Sequence, residues 1–179
     1  MIKIGEKIRT LELSTLFRWF IIYSVIGWIY ETLYTYMVSG RFTNRGFLFG
    51  PLCPIYGLSI LLMILISSDR SKTTVNLIVR CALVATAMEY VTSFWLEYFF
   101  NKRWWDYSDM FMNVNGRICI GASLLFGILG AFFIRIIHPI IKEINNRLPN
   151  NIIRIIDATI LVIFLYDILL SLRTNLVEY

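Results

Sequence analysis

The sequence predicts an all-α fold: a polytopic integral membrane helix bundle of about five transmembrane helices, with a re-entrant segment near Gly46–Pro54. Three observations carry this. The 179 residues are 58% hydrophobic and only 16% charged, whereas a soluble domain carries about 25% charged residues. The apolar residues arrive in blocks long enough to cross about 30 Å of hydrocarbon, which takes about 20 residues of helix. A Gly- and Pro-rich stretch between the first two blocks is nonetheless apolar, an unusual mixture for a solvent loop. The mean hydropathy of +0.67 agrees.

The elements follow in order, within a single membrane domain spanning 1–179. The opening "MIKIGEKIRTLEL" is basic and partly amphipathic. It suits either the charge rule for membrane topology or a short helix lying on an anionic leaflet. Spans are expected near 16–38, 52–67, 75–99, 118–137 and 153–172. The first is too long for a signal-peptide core and is read as uncleaved. The second is short. The third contains Arg80 and two Glu residues. After the fourth, Ile140, Ile141, Ile144 and Leu148 recur at helical spacing between Pro139 and Pro149, which reads as a short interfacial helix or a docking helix for a cytoplasmic partner.

Five crossings place the termini on opposite sides. One side collects Lys3, Lys7, Arg9, Arg18, Arg70, Lys72, Arg80, Arg135, Lys142, Arg147 and Arg154. The other collects Arg41, Arg45, Lys102, Arg103, Arg117 and Arg173. The excess puts the amino terminus in the cytoplasm and the carboxyl terminus outside. It also accounts for the net charge of +5 without a nucleic-acid partner. Cys53, Cys81 and Cys119 lack metal-ligand spacing, and neither a metal nor another cofactor is expected. A Cys53–Cys119 disulfide is conceivable, with free buried thiols favoured. His138 reads as a solvated or headgroup histidine.

The polar residues are the informative ones. An ionised side chain at mid-bilayer costs roughly 2.5–3.5 kcal/mol on insertion scales and usually faces the bundle interior. Ser24, Gly27, Glu31 and Thr35 share one face of the first span. Ala85, Glu89, Ser93 and Glu97, with Ala82, share one face of the third. Cys119, Ser123, Gly127 and Ala131 form a small-residue stripe on the fourth, with Gly130 beside it, which permits close helix approach. The loop "RWWDYSDMFMNVNGR" holds Arg103, Trp105, Asp106, Asn115 and Arg117. With Glu31, Asn44, Arg45, Glu89 and Glu97, these form the expected ligand-binding or structural polar network at the outer end of the bundle. Outer acids and bases balance, so mutual ion pairing and a ligand pocket both remain open. At least one of Trp104 and Trp105 belongs to the interfacial aromatic belt. Asn and Gly in the loop accept positive φ and imply an ordered turn.

Four stretches resemble a known bacterial family: "GWIYE" (Gly27–Glu31), "NRGFLFGPLCPIYG" (Asn44–Gly57), "LEY" (Leu96–Tyr98) and "RWWDYSDMFMNVNGRIC" (Arg103–Cys119). They are similar to the ABC-transporter permease type IV, or CmpB-like, family, from about Phe17 to Gly130. Phe111 and Met112 depart from the Pro-Phe of that pattern, which alters the turn and not the charged positions. The resemblance implies a permease in the cytoplasmic membrane working with a separate cytoplasmic ATPase. The chain itself has no G-x-x-x-x-G-K-[ST] phosphate loop. So small a conduit would also need a homo-oligomer or a second permease, among membrane lipids.

Three functions are therefore expected, in order. The first is a small permease or solute-binding transporter subunit. The second is a membrane-embedded enzyme acting on a lipid or lipid-linked headgroup at the outer leaflet, with no catalytic residue assigned. The third is a non-catalytic assembly or sensor protein.

Overall fold

The computed structural model describes residues 13–67, 73–147 and 149–177. The basic leader with Lys3, Lys7 and Arg9, the Arg70–Lys72 loop and Leu148 lie outside the described residues. The chain forms α1 (Leu13–Ser39), α2 (Pro54–Ile66), α3 (Thr74–Phe100), the two-residue strands β1 (Asn113–Val114) and β2 (Ile118–Cys119), α4 (Ile120–Phe132), a π-helical turn (Phe133–Ile137), α5 (His138–Arg147) and α6 (Asn150–Val177). The fold is all-α, as its apolar blocks predict.

Four helical stretches are long and apolar enough to cross a membrane: Leu13–Ser39, Thr74–Phe100, Ile120–Asn145 and Ile155–Leu176. The second block makes only the shorter α2, 13 residues long, or about 20 Å at 1.5 Å per residue. Proline explains where it begins. Pro54 occupies its first position, where a missing N–H costs nothing.

The fourth block behaves differently from its sequence pattern. Ile140 and its neighbours do not form a separate interfacial helix. α4 runs through the π turn directly into α5. Pro139 lacks an N–H and its ring would crowd the carbonyl one turn earlier. The wider π turn just before it absorbs that conflict, and the His138 N–H reaches back to the Phe133 carbonyl.

The described chain divides into two compact units. One lies within Met1–Leu58 and Glu143–Tyr179, the other is Ser59–Lys142. In the first, contacts between α1 and α6 climb in the same direction. Arg18 pairs with Asp157, Phe17 and Phe20 pack on Phe164, and Ile21 and Val25 share a core with Ile160, Phe164 and Ile168. The two helices are parallel.

In the second unit α3 and α4 are antiparallel. Thr74 accepts from Arg135 at one end, and Thr86 donates to Ser123 nearer the other. The small-residue stripe does what its spacing predicts. A Cβ on Gly127 would lie 2.8 Å from both Ala82 Cβ and the Ile78 carbonyl, and one on Gly130 would lie 2.7 Å from Met63 Sδ. Met63, Leu77, Cys81, Ala85 and Ala131 form the core beneath.

Candidate functional site

The expected polar residues fall into two clusters, one in each unit. In the first unit Gly27 carries no Cβ, and the Tyr56 ring lies against it. The Tyr56 hydroxyl then donates to Glu31 Oε1, one turn further along α1, at 2.7 Å. Arg45 Nε donates to Glu31 Oε2 at 3.3 Å. Asn44 does not join this carboxylate. Its Oδ1 accepts from Trp28 Nε1 at 2.7 Å, and its Nδ2 donates to the Phe49 carbonyl at 2.8 Å. Asn44 therefore shapes the loop that presents Arg45.

That loop, residues 40–53, is non-helical, and Leu48, Leu52 and Cys53 within it are buried. Its backbone is anchored on both sides. The Cys53 N–H donates to the Ser24 carbonyl at 3.0 Å. The Phe49 and Gly50 N–H groups donate to the two carboxylate oxygens of Asp167 at 3.0 and 2.9 Å. Asp167 stands nine residues before the end of its apolar stretch at Leu176, about 14 Å along the helix at helical rise. Irregular backbone beside an apolar helix is satisfied there by protein groups.

The second cluster gathers at the α3 end of the 101–119 loop. Asn101 closes α3 in the left-handed conformation, its N–H bonding the Glu97 carbonyl. The chain then returns through a tight hairpin. Val114 pairs with Ile118 across residues 115–117, the Arg117 N–H donates to the Val114 carbonyl at 3.0 Å, and Asn115 and Gly116 take φ of 55° and 68°, the positive φ that a tight hairpin turn uses. Gly116 is required there, since a Cβ would lie 2.5 Å from both Asp106 Oδ1 and Ser108 Oγ.

This hairpin brings two guanidinium groups onto one carboxylate. Arg103 Nε donates to Glu97 Oε1 at 2.9 Å, and Arg117 Nη1 donates to Glu97 Oε2 at 2.5 Å. Arg117 is the more enclosed, stacked over Tyr90 and Phe94 at 5.8 and 5.6 Å. Arg103 also donates to the Asn115 carbonyl and lies 3.9 Å from Asp106. Asn115 Nδ2 donates to the Tyr90 hydroxyl, and Trp105 Nε1 to the Arg117 carbonyl. Deeper in α3, buried Glu89 accepts from the Tyr107 hydroxyl at 3.0 Å. Asp106 accepts from both the hydroxyl and the N–H of Ser108. These two bonds, with Arg103 nearby, hold its carboxyl below the usual range. The bond to Glu97 raises Arg103, so that guanidinium stays cationic.

Glu97, Arg103, Arg117 and Asp106 thus form one ionic group, while Glu89, Trp105 and Asn115 tie the loop to α3 and to its own return strand. Trp105 is engaged by backbone. Trp104 packs edge-on against Phe100 under Lys102. The three cysteines are free thiols. Among the described residues no group of His, Cys, Asp and Glu is arranged to hold a metal ion.

Sequence reasoning placed the last helix but missed its two acids. Asp157 faces Arg18 at 3.3 Å, with each side chain 12% exposed, and Asp167 anchors the 40–53 loop. Two acids ten residues apart in an otherwise apolar block were the available signal, because such residues seldom face lipid. The tyrosines Tyr56, Tyr90 and Tyr107 were missed as well. Each supplies a hydroxyl to the network.

No curated protein and no solved structure shows a significant match to the chain. A family model described as "Putative ABC-transporter type IV" matches residues 18–172, covering both polar clusters and most of each long apolar helix, and the chain belongs to that family.

Proposed function

We propose that the protein is a small permease or solute-binding membrane subunit of an ABC-type transporter, powered by a separate ATPase, and that its Arg103–Arg117 cluster receives an anionic solute from the outer side. One observation carries the reading: two guanidinium groups converge on the single carboxylate of Glu97. Planar guanidinium groups suit carboxylate and phosphate oxygens. Glu97 occupies the position an incoming oxyanion would take and neutralises the site while it is empty. The charge distribution supports an amino terminus in the cytoplasm and this loop outside. The cytoplasmic surface offered to an ATPase then includes α5, whose Ile140 and Ile144 are exposed.

The test uses the native protein, tagged at its carboxyl terminus and extracted gently. A stoichiometric ATPase should copurify. Its ATP hydrolysis in the complex should respond to small carboxylates or phosphates, and Arg117→Ala should abolish that response. A complex of unrelated composition with the α5 surface left free would overturn the permease reading. An ATPase response unchanged in Arg117→Ala would overturn the assignment of the site.

A further inference from the structure

We propose that residues 44–53 form a strap fastened to α6 by Asp167, and that unfastening it is the movement that opens the Glu31–Arg45 pair. The inference concerns the first unit and stands independently of the anion site.

Asp167 is buried within an apolar helix, and both of its oxygens are committed to the strap. Oδ1 accepts from the Phe49 N–H at 3.0 Å and from Ser171 Oγ at 3.3 Å, and Oδ2 accepts from the Gly50 N–H at 2.9 Å. Fully buried Ser171 also accepts from the Phe49 N–H at 3.3 Å. A carboxylate is the acceptor that two adjacent N–H groups require. An amide would set its own N–H₂ donor against one of them. Gly50 is part of the fastening, because a Cβ there would meet Asp167 Oδ2 at 2.8 Å.

Arg45 lies on the strap, one residue from Asn44, which is bonded to the same segment at the Phe49 carbonyl. The strap also covers Cys53. Its thiol donates to the Arg45 carbonyl at 3.7 Å, and only 3% of the residue is exposed. If the two amides lose Asp167, the segment between Asn44 and Cys53 loses its hydrogen bonds to α6 and keeps only the apolar contacts of Phe47, Leu48 and Leu52. Arg45 is then no longer held against Glu31, and Cys53 is uncovered. The remaining backbone tie, Cys53 N–H to Ser24 on α1, makes residue 53 the hinge side of the strap.

Cys53 is therefore the reporter. The full chain is prepared in lipid nanodiscs with Cys53 as its sole cysteine (Cys81→Ala, Cys119→Ser), and maleimide labelling is followed. A companion protein retains Cys81 alone, fully buried in the other unit. Removing charged hydrogen bonds of this kind should raise the open population, and hence the labelling rate of Cys53, by at least about tenfold in Asp167→Asn. Cys81 should remain protected in the same variant. Gly50→Ala disturbs the same seat without touching any charge and should act in the same direction. Unchanged Cys53 labelling in Asp167→Asn would overturn the proposal. If Asp167→Asn also exposes Cys81, Gly50→Ala decides, and protection of its Cys53 at the wild-type rate overturns the strap.

Discussion

Replacing Gly127 by alanine tests whether the α3–α4 contact is as close as the small-residue stripe implies. The added Cβ would sit 2.8 Å from Ala82 Cβ, 2.8 Å from the Ile78 carbonyl and 3.2 Å from Ala82 Cα. Non-bonded carbon atoms prefer about 3.5–4.0 Å, so the helices must part by several tenths of an ångström to about 1 Å. The obstructing atoms are backbone or fixed to it and cannot rotate away. That places the overpacking cost in the upper part of its usual range, about 2–3 kcal/mol. Alanine returns up to about 1 kcal/mol of helix preference over glycine. The expected net loss is therefore about 1–2 kcal/mol. Gly121 is the control on the same helix, since a Cβ there meets nothing within 4 Å. Gly121→Ala should be neutral or stabilising by up to about 1 kcal/mol. Denaturant unfolding in detergent micelles, followed by tryptophan fluorescence, measures both. If Gly127→Ala proved as stable as Gly121→Ala, the close approach would be wrong, and with it the geometry that carries Arg117 across to Glu97.

Two further outcomes concern the outer loop. Gly116→Ala should unseat the hairpin while leaving the helices intact, because it combines positive φ with contacts of 2.5 Å to Asp106 and Ser108. Left-handed backbone alone costs a non-glycine residue about 1–2 kcal/mol. Hydrogen exchange should accelerate over residues 107–117 and not over α3. The Asp106 turn should also depend on acidity. Its carboxyl is held low in the folded state by Ser108 and Arg103, so its contribution is complete above the unfolded value of about 3.9 and disappears as pH falls through the folded value below it. Exchange at the Ser108 amide should therefore rise below about pH 4, and Asp106→Asn should remove this pH dependence.

How legible the molecule was in its sequence differed from element to element, for physical reasons. The stripe Ala85, Glu89, Ser93 was readable because helical periodicity is local, and the structure buries all three. The Asn115–Gly116 turn was readable because few residues tolerate positive φ. The neighbouring Met112, where the family pattern carries another residue, also takes positive φ, at 52°, a conformation its side chain would not suggest. Pro139 misled because a proline normally ends a helix, whereas here a π turn lets the helix continue. Asp167 was hidden for a different reason. Its partners lie 117 and 118 residues away, and they are backbone amides, which every sequence position supplies alike. The pairing of Arg18 with Asp157 has the same long-range character. Local patterns named the helices and the carriers of charge, but most of the pairings depend on which helices become neighbours.

On the proposed reading, the internal ligand also limits which solutes the arginine cluster can serve. Glu97 is tethered one loop away from Arg103 and Arg117, and a tethered partner competes at an effective concentration on the order of millimolar. A monocarboxylate offers the arginines the same chemistry as Glu97, without the tether. It would have to approach that concentration merely to share the site. A dianion, or a phosphate with three oxygens to present, can engage both guanidinium groups at once and gains charge-assisted bonds that one carboxylate cannot supply. Displaced Glu97 would then be left as a partly exposed carboxylate, and in Glu97→Gln the competition would be weakened. The cluster should therefore prefer multivalent oxyanions, and Glu97→Gln should narrow that preference by improving monocarboxylate binding most. If Glu97→Gln instead weakened every anion equally, Glu97 would be acting as scaffold for the two arginines and not as their resident ligand.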